Sequence, residues 1–169
     1  VYKAWDTRLS RIVAIKIILP DREVTEKATK RFWQESKAMA QLQHKNIVEI
    51  HESGDTPCHY FIMEYIEGEP LSNHIKNDKI KPRDAAQLLQ KTAAAMQAAH
   101  QLGIIHRDLK PSNIMIDNYQ EPKIMDFGLV KLSDSQALLS QPGDLIGTPA
   151  YMSPEQAQSK DVDARTDVY

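Results

Sequence analysis

The sequence predicts an α+β fold of two lobes that share a cleft, the first rich in strands and the second mostly helical. Apolar runs rich in Val, Ile and aromatic residues predict strands at residues 11–19, 46–51 and 60–65. A long helical pattern then covers residues 82–101. Between these halves, the run Glu67-Gly68-Glu69-Pro70 interrupts every periodicity, so we place the lobe boundary there.

Two charged residues stand out in the first half because their neighbours are apolar. Lys16 lies inside the run at residues 11–19, where a long cation usually has an anionic partner, although a sheet-edge lysine that reaches water is the alternative. Residues 25–43 have helical spacing, and Glu35 falls on the apolar face of that predicted helix. A buried carboxylate needs a cation, so we predict that Glu35 pairs with Lys16.

The helix predicted over residues 82–101 has a recognisable start and stop. Pro82 suits the first helical position, and Gly103 suits the C-terminal end. Its inward-facing stripe is predicted to consist of Ala85, Leu88, Leu89, Thr92, Met96 and Ala99. A short apolar run at residues 114–116 predicts one more strand.

Composition excludes several classes of protein. An apolar fraction of 41%, a charged fraction of 26% and a net charge of −2 are ordinary for a globular domain and argue against a nucleic-acid or membrane surface. No apolar stretch approaches the roughly 20 residues needed to span a bilayer. The lone Cys58 excludes an internal disulfide and fits a reducing compartment. We therefore expect a cytoplasmic location, with any membrane anchor outside this segment.

The residues with the clearest chemistry lie in the second half. Residues 106–113 read His-Arg-Asp-Leu-Lys-Pro-Ser-Asn, and an Asp-Phe-Gly triplet begins at Asp126. Asp108 can hold a hydroxyl nucleophile, and Lys110 can neutralise phosphate charge. Asn113 and Asp126 supply the hard oxygen ligands that Mg²⁺ prefers. Together these residues have the parts needed to move a phosphoryl group.

These motifs, with the Val-Ala-Ile-Lys run that ends at Lys16, resemble the catalytic core of the eukaryotic-type (Hanks-type) Ser/Thr protein kinases. The resemblance covers the whole chain, and Gln156 with residues 163–169 looks most like bacterial members of that family. It implies a bilobal protein-kinase-like fold, with one regulatory helix in a strand-rich N-lobe and a mostly helical, incomplete C-lobe.

The resemblance assigns boundaries to the parts of that fold. The N-lobe would be residues 1–66, with a hinge at about residues 64–67. The partial C-lobe would be residues 67–169, with its catalytic loop at 106–113 and an activation segment at 126–155.

The resemblance also implies a site for ATP with Mg²⁺, or with Mn²⁺ in its place. Lys16 would meet the phosphates, Met63 would lie behind the adenine, and Met115 would support the adenine from below. Taken alone, the hinge residues could equally form an ordinary core strand. The implied nucleotide contacts are Val1, Ala14, Lys16, Glu35, Met63, Glu64, Ile66 and Met115.

Phosphorylation of Ser/Thr hydroxyls on protein substrates is the activity that the resemblance implies. Asp108 would orient the hydroxyl, Lys110 would stabilise the transferring group, and Thr148 would bridge the two. Asn113 and Asp126 would hold the metal. His106 and Phe127, with Met39 and Ile50, would form an apolar column that links the lobes.

Regulation by phosphorylation of the activation segment is a further implication. Ser140 is the leading candidate for the modified residue, although an ordinary solvated serine is an equal alternative. A phosphate there would bridge basic side chains, for which Arg31, Arg107 and Lys131 are the candidates.

The resemblance includes segments that this sequence does not contain. A Gly-rich loop would precede Val1, and further helices would follow Tyr169, among them one carrying an Arg partner for Glu155. We therefore expect a fragment of a longer kinase that is poorly stable and inactive by itself. Asp167 resembles the residue that fixes the backbone of the catalytic loop.

A pseudokinase and a small-molecule phosphotransferase are the two alternative classes of function. A pseudokinase that serves as a binding scaffold typically loses Lys16, Asp108 or Asp126, and all three are present. A small-molecule phosphotransferase of the antibiotic-kinase type would lack the Gly-Thr pair and the Ser-Pro-Glu run of residues 147–155. Both are less favoured than a protein kinase that acts on a protein substrate.

Overall fold

A computed structural model describes residues 1–18, 37, 39–56, 58–78, 80–127 and 149–169. Most of the helix predicted over residues 25–43 lies outside these ranges, and residues 39–41 are helical.

The first half of the chain forms a four-stranded antiparallel sheet of order β1-β2-β4-β3. Its strands are β1 (Tyr2–Asp6), β2 (Arg11–Ile18), β3 (Ile50–Gly54) and β4 (His59–Glu64). The strands predicted at residues 11–19 and 60–65 are confirmed as β2 and β4, which pair with each other. The strand predicted at residues 46–51 is wrong in position, because β3 begins only at Ile50.

A second sheet of three strands lies later in the chain, in the order β5-β6-β7. Its strands are β5 (Gly68–Pro70), β6 (Ile114–Asp117) and β7 (Pro122–Ile124). The predicted strand at 114–116 is confirmed, but the expected break at residues 67–70 instead contains a strand. Gly68 permits this close pairing, because a Cβ atom there would lie 2.0 Å from the carbonyl oxygen of Ile116.

Residues 46–48 connect the two sheets instead of continuing β3. Ile47 forms a parallel bridge with Ile124 of β7. The backbone N–H of Val48 donates to the Ile124 carbonyl at 2.9 Å, and the Ile124 N–H donates to the Asn46 carbonyl at 2.8 Å. The buried Asn46 amide donates to the Pro122 carbonyl at 2.8 Å. The Val48 N–H and the Asn46 carbonyl thus pair with Ile124 of β7, so this segment does not continue β3.

Among the helical elements whose bounds fall within the described ranges, only one is long. The α-helices are α1 (Leu71–Lys76), α2 (Pro82–Gln101) and α3 (Pro154–Ala157), and single 3-10 turns cover Pro111–Asn113, Pro149–Tyr151 and Ala164–Asp167.

Helix α2 has the bounds that the sequence predicts, with Pro82 in its first turn and Gly103 beyond its end at a φ of +72°. Its buried residues are Thr92, Ala95, Met96 and Ala99. The prediction that Ala85 and Leu89 face inward is wrong. Leu89 is 70% exposed, and both residues line an open, largely apolar groove of about 560 Å³ beside α1.

The core joins the first sheet, α2 and β7. Its buried members are Met39, Leu42, Ile47, Phe61, Ala95, Met96, Ala99, Ile124 and Phe127. The four residues predicted to form a column come together there. Ile50 packs against the cluster that holds Met39 and Phe127, and the His106 and Phe127 rings lie 4.6 Å apart.

Candidate active site

The catalytic-loop candidates converge on the carboxylate of Asp108. The Lys110 ammonium lies 3.1 Å from one carboxylate oxygen and 2.9 Å from the other. The Asn113 amide nitrogen donates to the Asp108 backbone carbonyl at 2.8 Å and to its carboxylate at 3.0 Å. Asn113 is buried and ends the 3-10 turn that directly precedes β6, so it holds Asp108 from a fixed position. The Asp108 carboxylate is fixed in position while about a third of its side chain stays exposed.

Buried His106 shapes the turn that carries Asp108. Its Nδ1 accepts a hydrogen bond from the Asp108 N–H at 3.2 Å, and its Nε2 lies 3.0 Å from the Met125 carbonyl. An accepting Nδ1 and a donating Nε2–H define a neutral imidazole. Burial lowers the pKa of His106 below its ordinary value, although hydrogen bonding to Met125 acts in the opposite direction. His106 is therefore a structural link between the catalytic loop and the strand segment that precedes Asp126.

A second carboxylate, that of Asp167, is buried and fixes the same loop from the other side. Its oxygens accept from the backbone N–H groups of His106 at 2.8 Å and Arg107 at 2.7 Å, and His100 Nε2 lies 2.8 Å away. Arg107 has a φ of +66°, which is costly for a residue with a side chain. The two charge-assisted hydrogen bonds stabilise this conformation. The expected role of Asp167 is confirmed by this geometry.

Asp126 lies beside the catalytic loop and is paired with Lys16. The Lys16 ammonium is 2.7 Å from Asp126 Oδ1, and the two side chains are 15% and 26% exposed. The N–H of Met125 donates to the Asn113 carbonyl at 2.9 Å, which places Asp126 next to Asn113. Asp126 has a φ of +60°, a second left-handed residue at this site. The structure thus brings the predicted phosphate lysine and both predicted metal ligands to one place.

The predicted purine-binding residues lie where the two sheets approach each other. Ala14 and Met63 are paired in register between β2 and β4, so their side chains share one face of the first sheet. Met115 lies on β6 opposite Lys123. Ile66 follows β4 and is partly buried. Val1, in contrast, is 72% exposed at the start of β1.

Two polar residues at the site were not singled out by the sequence. Lys123 on β7 makes hydrogen bonds of 2.8 and 2.9 Å to the two carboxylate oxygens of Glu64. A lysine between buried Pro122 and Ile124 is the same signal that drew attention to Lys16, and it could have been found in the same way. His100 gave no signal, because a histidine in the last turn of a helix is common at the surface.

Gln156 connects α3 to the catalytic loop. Its amide nitrogen donates to the Arg107 carbonyl at 2.7 Å, and its amide oxygen accepts from the Ser153 N–H in a capping box. The carboxylate of Glu155 accepts from the Thr166 hydroxyl at 2.7 Å. That hydrogen bond is the main cause of a pKa for Glu155 below its usual range. The segment that follows residue 148 is therefore tied to both Arg107 and the chain around Asp167.

Several predicted site residues lie outside the described ranges. They are Arg31, Glu35, Lys131, Ser140 and Thr148. The Glu35–Lys16 pair accordingly stays a prediction.

The donor set fits a metal ion held jointly with nucleotide phosphates. Within the described ranges, no group of three or more His, Cys, Asp and Glu side chains could hold a metal by itself. One carboxylate and one amide, from Asp126 and Asn113, match Mg²⁺, which usually takes one or two protein ligands and completes its shell with phosphate and water oxygens. Lys16, paired with Asp126, adds a cation suited to phosphate oxygens.

Comparison with known proteins agrees with this geometry. The family model described as "Protein kinase domain" matches residues 1–169, and the chain belongs to that family.

Individual relatives are bacterial. The chain is 40% identical over 181 residues to a probable serine/threonine-protein kinase PknB of Bifidobacterium longum, covering all of this chain and 26% of the relative. It is 40% identical to serine/threonine-protein kinase PknB of Mycolicibacterium smegmatis and 36% identical to serine/threonine-protein kinase PknA of Mycobacterium tuberculosis, with 28% and 41% of those relatives covered. The chain spans well under half the length of the relatives it matches. Among the described residues, no helix has the length and apolar character to cross a membrane.

Proposed function

We propose that the protein containing this chain is a Ser/Thr protein kinase that transfers the γ-phosphoryl group of ATP to hydroxyls of protein substrates. The observation that carries this proposal is the position of Asp108, whose carboxylate is held by Lys110 and Asn113 beside Asp126. Positioning and charge neutralisation are what phosphoryl transfer requires of a protein.

In the proposed mechanism, Asp108 accepts a hydrogen bond from the substrate hydroxyl and orients its oxygen for in-line attack on the γ-phosphorus. The bond between the γ-phosphorus and ADP would break as the new oxygen–phosphorus bond forms, ADP would leave, and Asp108 would take the hydroxyl proton. The Lys110 ammonium, already within 3.1 Å of that carboxylate, stabilises negative charge on the transferring oxygens. When bound, Mg²⁺ with ATP supplies the phosphoryl group and neutralises part of its charge. Mn²⁺ is a second candidate for the same ligands, Asn113 and Asp126.

For the nucleotide, we propose a slot between the two sheets. Lys16 would bind phosphate oxygens, while Ala14, Met63 and Met115 would contact the purine. The backbone of Glu64 and Ile66 would hydrogen-bond the purine edge as a hinge between an N-lobe of residues 1–66 and a C-lobe from residue 67. Val1 and Glu35 complete the proposed contacts.

Residues in and around the activation segment would determine substrate choice and regulation. Lys110 with Thr148 favours Ser/Thr over Tyr hydroxyls. Phosphorylation of Ser140 would order the segment by bridging Arg107, Lys131 and Arg31. The buried Arg107 Nε without a hydrogen-bond partner within the described residues supports an anion at this position. The proposed location is the cytoplasm, where ATP and reduced thiols are present.

The proposal is tested by autophosphorylation with Mg-ATP in the protein as its gene encodes it, beside Asp126→Ala. We expect labelled serine or threonine in the native protein and almost none in the variant, because Asp126 would hold the metal. Equal labelling of both proteins contradicts the metal assignment. Phosphosite mapping of the same samples tests whether Ser140 is phosphorylated. Phosphate found only outside residues 126–155 would contradict the proposal that the activation segment is the regulatory site.

A further inference from the structure

The ion pair between Glu64 and Lys123 joins the two sheets at the purine end of the proposed site. Lys123 Nζ makes hydrogen bonds of 2.8 and 2.9 Å to the two Glu64 carboxylate oxygens. Glu64 is the last residue of β4, and Lys123 is the middle residue of β7, separated by 59 positions in sequence. The contact therefore bridges two elements that the chain does not connect directly.

Burial distinguishes this pair from ordinary surface pairs. The Lys123 side chain is 16% exposed and that of Glu64 is 33% exposed, whereas the Arg165–Asp163 pair is 89% and 56% exposed. Exposed ion pairs contribute little to stability. Removing the partner of a largely buried ammonium, in contrast, destabilises the protein considerably. The buried ammonium of Lys123 therefore favours positions of Glu64 in which the two side chains stay paired.

The backbone of Glu64 is held at the same time. Its N–H donates to the Glu49 carbonyl at 2.9 Å. Successive residues of a strand point to opposite faces, so the Glu64 side chain points away from the face that carries Met63 and Ala14. The carboxylate can therefore bind Lys123 on one side, while the Glu64 carbonyl would be the backbone group that faces a purine, because the N–H already donates to Glu49.

Lys123 is placed beside the opposite wall of the same slot. It lies directly across from Met115 in the β6–β7 register, and residues opposite each other on antiparallel strands project from the same face. Two residues after Lys123 comes Met125, whose N–H is bonded to the Asn113 carbonyl, and then Asp126. One side chain thus connects the hinge candidate with the strand that leads to the metal-ligand candidate.

We propose that Glu64 and Lys123 are positioning residues that set the spacing between the hinge and Met115, and so determine affinity for the purine nucleotide. The inference rests on the proposed function, since it assigns a role within the same nucleotide site. Neither side chain contacts the reacting atoms; both act through the backbone of Glu64 and the side chain of Met115.

The test measures nucleotide affinity and steady-state kinetics in Lys123→Met, with the protein as its gene encodes it. A non-hydrolysable ATP analogue with Mg²⁺ serves as the binding probe in calorimetry. We expect its dissociation constant and the KM for ATP to rise about fivefold, with a smaller change in kcat, since a largely buried ion pair is lost. Lys123→Arg keeps both hydrogen bonds to Glu64 and is expected to restore the native affinity.

Lys91→Met is the matched control. It removes the ion pair between Lys91 of α2 and Glu121 in the turn between β6 and β7, which lies away from the slot. We expect native KM and native affinity in this variant. An equal loss of affinity in Lys91→Met and Lys123→Met shows a general loss of stability and overturns the positioning role.

The outcomes separate the inference from the proposed function. If the native protein binds the analogue and Lys123→Met has a dissociation constant within twofold of the native value, this inference is overturned and the proposed function is not. Native protein that binds no Mg-nucleotide overturns the proposed function and this inference with it.

Discussion

The ammonium of Lys16 lies 2.7 Å from the carboxylate of Asp126, so a strand of the first sheet is joined by charge to a residue two positions beyond the end of β7. Each residue neutralises the other in a partly buried environment. A metal ion and phosphates would take over these roles, the metal at Asp126 and the phosphate oxygens at Lys16. A bound Mg-nucleotide would therefore contact both members of this ion pair, or would separate them and pair with each one.

Replacement of Lys16 tests this relationship. In Lys16→Met, the phosphates lose their cation and Asp126 loses its partner, so we expect phosphoryl transfer to fall by a factor of about 10² or more. The measurement is the initial rate of Mg-ATP autophosphorylation. Lys160→Met removes an exposed lysine after α3 and serves as the control. A native rate in Lys16→Met would contradict the assignment of Lys16 to the phosphates.

Asp167 is expected to stabilise the left-handed conformation of Arg107. Asp167→Asn keeps the shape but removes the charge that accepts from two backbone N–H groups, so we expect the free energy of unfolding to fall by about 2–3 kcal/mol. The measurement is urea denaturation of both proteins. Asp163→Asn is the matched control, since its pair with Arg165 is exposed and contributes little to stability. Similar losses in the two variants would refute the special role of Asp167.

The bounds of the long helix and the identity of the catalytic loop could be predicted from the sequence, because each depends on residues that are neighbours in the chain. The bounds of α2 follow from Pro82 and Gly103, and the catalytic-loop chemistry follows from a contiguous run. Burial of Leu89 was predicted wrongly because periodicity identifies an apolar face but does not show what covers it.

Contacts between distant elements could not be predicted in the same way. The strand at residues 68–70 and the bridge at residues 46–48 depend on partners in the second sheet, β6 and β7. The Glu64–Lys123 pair likewise depends on how the two sheets approach each other. Tertiary context of this kind overrides local propensity and turn signals.

The protonation of His106 gives a prediction about pH. Burial lowers its pKa below the ordinary 6.5, and this outweighs the carboxylates of Asp167, Asp108 and Asp126, which raise it. The unfolded chain therefore binds a proton more readily than the folded one. The stabilising contribution is fully present above about pH 6.5 and is lost as the pH falls through the lowered pKa of the folded state, with a slope of at most about 1.4 kcal/mol per pH unit.

The direct measurement is an NMR titration of the histidine ring protons. The His106 resonance is assigned by its disappearance in His106→Gln. We expect a midpoint below 6.5 or no titration while the protein stays folded. A midpoint at or above 6.5 would contradict the prediction that burial lowers the pKa of His106 in the folded protein.

The most direct test of a Ser/Thr kinase is the substitution Asp108→Asn, measured by mass spectrometry of phosphorylated serine and threonine after incubation with Mg-ATP. The substitution preserves the size of the side chain but removes the acceptor charge that orients the hydroxyl. We expect phosphorylation in the native protein and a loss of about 10²-fold or more in Asp108→Asn, with Mg-nucleotide affinity changed by less than about threefold. Equal phosphorylation of the two proteins would show that Asp108 does not orient the substrate hydroxyl and would overturn the assignment of this site to Ser/Thr phosphorylation.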